Sequence, residues 1–153
     1  MDDGQGGQDV GLIFDVFKEI GIIEQLSRAI LEARLPGDLI APHFSVLSHL
    51  SRREDGQTPI DMARAFQVPK TSMTHTLKGL EGLGLIEMRP NPKDGRSKRV
   101  WLTDDGRALF ARVIVDLGPD FVALARGFDT TRLAEIQPVL TDLRIFLDAA
   151  RDV

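Results

Sequence analysis

The sequence of 153 residues contains no cysteine and no tyrosine, and one tryptophan and eight phenylalanines make it poor in aromatic side chains. Without cysteine the chain cannot form disulfides, thiolate zinc sites, iron–sulfur clusters or a thiol-based redox switch. No apolar run approaches the roughly 20 residues that a membrane helix needs. The N-terminus, MDDGQGGQD, is acidic and rich in glycine, unlike a cationic signal peptide. These absences predict a cytoplasmic protein.

The composition is that of a folded protein, with 42% hydrophobic and 27% charged residues. A chain of this length forms about one ordinary domain with one sizeable core. The formal net charge of −4 at pH 7 argues, taken alone, against a nucleic-acid partner. Binding depends on the charge of a local surface rather than on the average, so the distribution of charge along the chain has to be considered as well.

Apolar residues at steps of three and four predict a helix in the N-terminal part of the chain. These residues are Ile13, Val16, Phe17, Ile20, Ile23, Leu26 and Ile30. Pro36 and Gly37 form a turn signal, so we assign residues 11–36 to an N-terminal dimerisation helix. Residues 1–10 are polar and rich in glycine, and we predict a flexible tail there.

Residues 42–103 begin with three short helical segments that prolines initiate. Pro42, Pro59 and Pro69 each suit the first turn of a helix, where a missing backbone N–H does no harm. Thr58 can cap the second of these helices. Because a turn of only three or four residues separates the second helix from the third, the pattern predicts a helix-turn-helix.

A β-hairpin is predicted directly after the third of these helices. The inward face of that helix carries Met73, Leu77 and Leu80, and Gly84 suits the left-handed conformation that ends a helix. Polar and apolar residues then alternate over Leu85–Arg89 and Lys98–Leu102, which predicts two strands. Pro90–Ser97 is read as a polar loop that is too long for a tight turn. A helix-turn-helix followed by such a hairpin is a winged helix.

The last part of the chain, residues 104–150, is predicted to form C-terminal dimerisation helices. Thr103 can cap the first of them. Apolar residues later recur with a spacing typical of coiled coils, at Leu133, Ile136, Leu140, Leu143 and Leu147. Pro119 and Pro138 are expected to interrupt or kink these helices. The predicted fold is therefore mainly α with a small β-hairpin wing, flanked by N- and C-terminal dimerisation helices.

Cations are concentrated in two windows of this acidic chain. Residues 68–80 contain two lysines and no acid, and residues 89–101 contain five lysines or arginines and one acid, Asp94. These windows fall on the second helix of the helix-turn-helix and on the wing, the elements that would enter the major and minor grooves of DNA. The charge pattern therefore favours a DNA-binding surface.

Two segments resemble the MarR family of winged-helix transcriptional regulators. They are MTHTLKGLEGLGLI at 73–86 and RPNPKDGRSKRVWLTDDGRAL at 89–109. The Asp-Gly-Arg-Ser wing, followed by a strand and Leu-Thr-x-x-Gly, is the most specific part of the match. The resemblance implies a homodimer, paired through its first, fifth and sixth helices on pseudo-palindromic double-stranded DNA. It also implies a pocket for a small aromatic or phenolic effector.

Two sets of residues are expected to contact DNA. Those on the outer faces of the second helix of the helix-turn-helix are Lys70, Thr71, Ser72, Thr74, His75 and Lys78. Those in the wing are Lys93, Asp94, Arg96, Lys98 and Arg99. Arg96 is expected to enter the minor groove, and the other wing cations are expected to contact phosphate. By analogy with the family, Asp94 would pair with an arginine and fix the wing; the alternative is a turn-forming role beside Gly95.

Two glycines within this helix depart from what a stable helix prefers. Gly79 and Gly82 would each cost about 1 kcal/mol relative to alanine. The helix is therefore either short and deformable, or closely packed at a position where a side chain would not fit.

The effector pocket rests mainly on the resemblance. Its candidate residues are Arg34, His43, Phe44 and Leu47, where the first two helices should border a cleft. No metal site, cofactor motif or catalytic motif is recognisable, so we predict no enzyme. The function predicted is a DNA-binding regulator, acting as a repressor. A winged-helix module for protein–protein contact, without DNA binding, remains the alternative.

Overall fold

The computed structural model of the protein describes residues 3–52 and 56–151. Within these ranges the chain forms six helices and a two-stranded antiparallel sheet. In chain order they are α1 (Asp3–Glu32), α2 (Ala41–Arg52), α3 (Pro59–Phe66), α4 (Lys70–Gly82), β1 (Ile86–Asn91), β2 (Asp94–Leu102), α5 (Asp104–Gly127) and α6 (Thr130–Ala150). The chain divides into two compact units, Met1–Leu117 and Gly118–Val153.

Helix α1 is longer than the sequence predicts at its N-terminal end. It begins at Asp3, so the prediction of a flexible tail is wrong from residue 3 onwards, while residues 1–2 lie outside the described part. Once a helix has nucleated, each further residue adds a backbone hydrogen bond. At the other end the helix stops at Glu32, four residues before Pro36.

The core of the first unit lies between α2, α3, α4, the hairpin and the first half of α5. The residues that are fully or almost fully buried include Val46, Leu47, Leu50, Met62, Leu77, Leu80, Ile86, Val100 and Val113. The predicted inward residues of α4, including Met73, are all buried. Helix α1 adds Ile30 and Leu31 to this core, and its side chains from residue 6 to residue 29 are exposed.

The helix-turn-helix forms as the sequence predicts. The hydroxyl of Thr58 accepts a hydrogen bond from the backbone N–H of Asp61 at 3.2 Å and caps α3. Gln67 ends α3 in the left-handed conformation with φ of 51°. Pro69 then begins α4, because its fixed φ suits a helix start and it has no N–H to leave unpaired. A turn of three residues thus joins α3 to α4.

The hairpin is longer and its turn tighter than predicted. The strands pair from Ile86↔Leu102 to Asn91↔Asp94, so the segment predicted as a long loop is mostly strand. The turn consists of residues 92–93, and a register shift after Pro90 leaves residues 95–97 in a bulge. The side chain of Asn91 holds both parts, since it donates to the Ser97 hydroxyl at 2.9 Å and accepts from the Lys93 N–H at 3.1 Å.

A compact junction connects the end of α4, the hairpin and the start of α5. The Thr103 hydroxyl donates to the Gly84 carbonyl at 2.7 Å and accepts from the Gly106 N–H at 3.0 Å. Gly84 has φ of +70°, as expected for a residue that follows a helix. A Cβ atom on Gly106 would lie 2.0 Å from the carbonyl oxygen of Leu85. The glycine of the Leu-Thr-x-x-Gly sequence is therefore required, because a side chain at position 106 would collide with the backbone of Leu85.

The second unit, Gly118–Val153, contains the end of α5 and all of α6. Neither proline interrupts its helix, since α5 continues through Pro119 and α6 through Pro138; the predicted interruption is wrong, and the alternative of a kink stays a prediction. A proline removes one hydrogen bond, and the flanking turns keep theirs. Asp129 caps α6 by accepting from the Thr131 N–H at 2.9 Å. Among residues 3–52 and 56–151, no helix has both the length and the apolar character needed to cross a membrane.

Candidate nucleic-acid interface

The outward face of α4 is polar and cationic. Thr71, His75 and Lys78 are exposed and follow one another at steps of four and three, so they share one face of the helix, opposite the buried Met73 and Leu77. Gly82 continues this face by one more turn, and no atom lies within 4 Å of a Cβ placed there. The surface is therefore open and carries hydroxyl, imidazole and ammonium groups.

The remaining predicted residues of α4 lie beside this face. Lys70 is the first residue of the helix and is exposed; Ser72 is exposed and Thr74 is half-buried. Ser72 borders a cavity that also touches α1 and α2. Pro69 provides no side-chain cap for the helix, so backbone N–H groups of the first turn, beside the Lys70 ammonium, are available to an anion such as phosphate.

In the wing, three of the predicted cations are exposed. Lys93 lies in the turn, Arg96 in the bulge and Lys98 on β2. Within the described residues none of the three forms an ion pair. A cation without a partner in the protein loses no internal contact when it binds an anion, so these three side chains are suited to contact phosphate.

Arg99 and Asp94 have structural contacts that differ from the predictions. Arg99 is half-buried and its Nε donates to the Asn91 side-chain oxygen at 3.1 Å, which ties β2 to β1. The Asp94 carboxylate accepts the backbone N–H of Arg96 at 3.0 Å. Among the described residues Asp94 forms no ion pair with an arginine, and its bond to Arg96 agrees with the turn-forming alternative. Such a bond from an aspartate to the chain two residues later stabilises a tight turn.

The structure shows a second group of wing residues that the sequence patterns did not identify. Arg89 forms an ion pair with Glu87, and its guanidinium carbon lies 4.6 Å from the centre of the Trp101 ring. A Cβ on Gly56, which has φ of +93°, would lie 2.9 Å from that ring. The alternation of side chains along the strands could have predicted this group, because it places these side chains together on the outward face of the hairpin. Arg89 therefore supports the wing and is not a free cation.

The candidate effector residues have different surroundings in the structure. Leu47 is buried in the core and Phe44 stacks on Phe110, with ring centres 5.3 Å apart. A cavity of about 790 Å³ lies nearby in the first unit. Its lining includes His43 of the predicted set, but not Arg34, Phe44 or Leu47. Of the four candidate residues only His43 lines this cavity, and the ring of Phe110 lies beside Phe44; the effector site itself stays a prediction.

The cavity combines apolar walls with a few charged groups. Its apolar residues include Leu39, Leu83, Leu85 and Leu109, and its ionisable residues are Asp38, His43, Asp105 and Arg112. Gly79 of α4 also lines it. Apolar walls with few polar groups are typical of sites for small organic molecules. The cavity thus borders the same helix that carries the outward polar face.

Comparison with known proteins shows similarity to the MarR family. A family model described as MarR family matches residues 38–97, which contain α2, α3, α4, β1 and the start of β2. Wild-type MarR from E. coli in its apo form is 26% identical with a TM-score of 0.71, and the match covers 82% of this chain and 94% of that chain. The predicted winged-helix fold is confirmed.

Two further solved structures extend the comparison. A cysteine-to-serine mutant of MarR from E. coli, complexed with operator DNA, is 26% identical with a TM-score of 0.72, over 86% of this chain and 94% of that chain. The transcriptional regulator BldR from Sulfolobus solfataricus is 20% identical with a TM-score of 0.74, over 92% of this chain and 97% of that chain. The likeness to BldR concerns the fold alone.

Proposed function

We propose that the chain, which matches a MarR family model over residues 38–97 and is similar to MarR from E. coli, is a winged-helix transcriptional regulator of that family and binds double-stranded DNA in a sequence-specific manner. The observation that carries the proposal is the coincidence of two exposed surfaces, the outward face of α4 and the unpaired wing cations Lys93, Arg96 and Lys98. In a chain of net charge −4, such a concentration of free cations on the two groove-reading elements favours DNA as the partner. Members of this family are regulators rather than enzymes, and we assign no catalytic role.

The proposal includes a homodimer, as the family resemblance implies. Helix α1 leaves apolar side chains exposed, among them Ile13, Phe17 and Ile20. Separately, α6 buries none of its described residues, and Phe146 is 70% exposed. Contiguous apolar surface of this kind is unfavourable in water and marks contact with a protein partner. A second copy of the chain would cover it and would present two α4 helices to the two halves of a pseudo-palindromic operator.

We propose repression as the regulatory outcome, because a dimer bound across a promoter excludes other proteins from it. With DNA as its partner, the protein would act in the cytoplasm, as the sequence analysis predicts. The second candidate function is a winged-helix module for protein–protein contact. The unpaired wing cations favour DNA over that alternative, since such a module has no need of them.

The proposal predicts that a pool of randomised DNA duplexes will yield a two-fold symmetric consensus after selection with the full-length protein. Affinity for the selected duplex should fall steeply with salt, because each phosphate contact releases a counterion; six or more contacts would reduce affinity by about a thousandfold between 50 and 200 mM salt. The measurement is fluorescence anisotropy of the labelled duplex against salt, together with sedimentation of the free protein. A dimeric, folded protein that enriches no sequence would favour the protein–protein module.

We also propose that the cavity beside His43 binds the effector, a small aromatic acid. The guanidinium of Arg112 is the group that would hold its carboxylate. Replacing Arg112 by alanine should weaken binding of salicylate, used as the probe, by about tenfold, since a charge-assisted hydrogen bond contributes about 1.5–3 kcal/mol. Arg34→Ala is the matched control, because Arg34 does not line the cavity. Calorimetric titration distinguishes the two variants; equal weakening by both, or no heat with the wild type, would contradict this proposal.

A further inference from the structure

His43, near the start of α2, packs against α4, the second helix of the helix-turn-helix, which is called the recognition helix below. Its Nδ1 accepts the backbone N–H of Ile40 at 3.0 Å, which fixes the tautomer, so that the proton of the neutral ring lies on Nε2. That Nε2 lies 3.0 Å from the position that a Cβ of Gly79 would occupy. A Cβ rarely comes so close to another atom, and the missing side chain at position 79 is therefore explained by the imidazole beside it.

The environment of the ring favours its neutral form. Burial lowers the pKa of His43 below its ordinary value of about 6.5, and the nearby His75 on α4 lowers it further, whereas the backbone of Ile40 has a smaller effect that raises it. The other ionisable groups around the cavity are Asp38 from the loop before α2, and Asp105 and Arg112 from α5. Only a neutral ring can accept the Ile40 N–H at Nδ1, because a protonated ring carries hydrogen on both nitrogens.

We propose that His43 is a positioning residue for the recognition helix, whose neutral imidazole holds α4 at Gly79 and whose protonation weakens DNA binding. The statement about DNA rests on the function proposed above. Protonation breaks the bond from Ile40 and places a charge on the side of α4 that also carries His75. The ring must then move, and α4 moves with it because no side chain separates the two at Gly79.

A second imidazole, His75, lies on the outward face of α4. A positive charge at that position would face the phosphates and strengthen binding, the opposite of the effect proposed for His43. The pH dependence of the wild type is the sum of both effects. A variant without a titrating group at position 75 separates them, and the outward position of His75 makes its replacement compatible with the fold.

The direct test is an NMR titration of the three histidine rings of the full-length protein. We expect His43 to titrate below pH 6.5, and His75→Gln to raise its pKa. The backbone amide of Gly79 should shift with the same midpoint as the His43 ring. Gly79→Ala should change that midpoint, whereas Gly82→Ala, a matched change at an open position of α4, should leave it unchanged. An amide of Gly79 that does not follow His43, or equal effects of the two alanines, would overturn the proposal.

The second arm measures affinity for the selected duplex at about pH 7.5 and pH 5.5. In His75→Gln, binding should weaken by about three- to tenfold on acidification, which corresponds to about 0.6–1.4 kcal/mol of binding free energy. His43→Asn/His75→Gln should lose this dependence, because the asparagine oxygen can still accept the Ile40 N–H but does not titrate in this range. His49 remains as the internal control. A dependence that persists in the double variant would contradict the role of His43.

The two arms distinguish the failure of this proposal from the failure of the proposed function. If no duplex is bound at any pH, the DNA-binding function is wrong, and the role of His43 at α4 is then judged by the NMR titration alone. If duplexes are bound with no effect of pH in His75→Gln, DNA binding stands and the positioning role of His43 is refuted.

Discussion

Replacing Gly106 by alanine is expected to destabilise the first unit by about 3 kcal/mol or more. The new Cβ would lie 2.0 Å from the Leu85 carbonyl oxygen and 2.8 Å from Cδ1 of Leu102. The oxygen cannot retreat freely, because it accepts the backbone N–H of Thr103 at 3.2 Å. The clash therefore separates the start of α5 from the hairpin and breaks the cap that Thr103 provides. Residual folding with a displaced wing is expected at low temperature.

The control for this prediction is Gly82→Ala. A Cβ at position 82 meets no atom within 4 Å, so this variant gains only the better helix propensity of alanine and should be unchanged or slightly stabilised, by less than about 1 kcal/mol. Urea unfolding followed by the fluorescence of Trp101, the only tryptophan of the chain, measures both variants at the hairpin itself. Equal unfolding free energies for the two variants would show that the backbone approach at Gly106 is not required.

The central part of the fold could be predicted because its signals are local. Proline at three helix starts, the Thr58 cap and the i, i+4, i+7 spacing on α4 each act within one or two turns of helix. Gly84 likewise ends α4 through its own backbone conformation. The structure confirms all of these elements, and the boundaries differ from the predicted ones by few residues.

The features that sequence reasoning missed depend on partners elsewhere in the chain. Residues 3–10 are poor helix formers by composition, yet they extend a helix that later residues nucleate. The wing was read as a loop because its residues are polar, whereas Asn91 and the ladder between β1 and β2 order it. An interruption is expected from the sequence at Pro119 and Pro138. Each proline nevertheless removes only one hydrogen bond from a long helix, and the helix continues.

Within the candidate site, the exposed face of α4 could be predicted from the sequence, but the different contacts of the three wing arginines could not. A sequence shows that Arg89, Arg96 and Arg99 are cationic, but not which of them already has a partner. Arg89 is held by Glu87 and Trp101, and Arg99 by Asn91. Only the arrangement of the bulge leaves Arg96 exposed. The same reasoning applies to the candidate effector residues, because the sequence does not show that Phe44 stacks on Phe110.

Arg96→Ala is expected to weaken binding of the selected duplex by at least about tenfold, with no change in the melting temperature. Arg96 is exposed, and its backbone N–H rather than its side chain makes the contact with Asp94 that shapes the bulge. The variant therefore keeps the turn and loses only the guanidinium. An arginine in a narrow minor groove is stabilised by the enhanced negative potential there, so its loss weakens binding by more than that of a single lysine on phosphate.

Arg89→Ala is the matched control for Arg96→Ala, since it removes an arginine of the same hairpin that is already paired with Glu87 and stacked on Trp101. It should lower the melting temperature slightly and change the DNA affinity little. A repeated selection adds a readout specific to the minor groove: the wild type should prefer A·T pairs beside each half-site, and Arg96→Ala should lose that preference. If Arg96→Ala binds as tightly as the wild type and keeps the same consensus, the wing does not read DNA. The outward face of α4 would then have to account for specificity by itself.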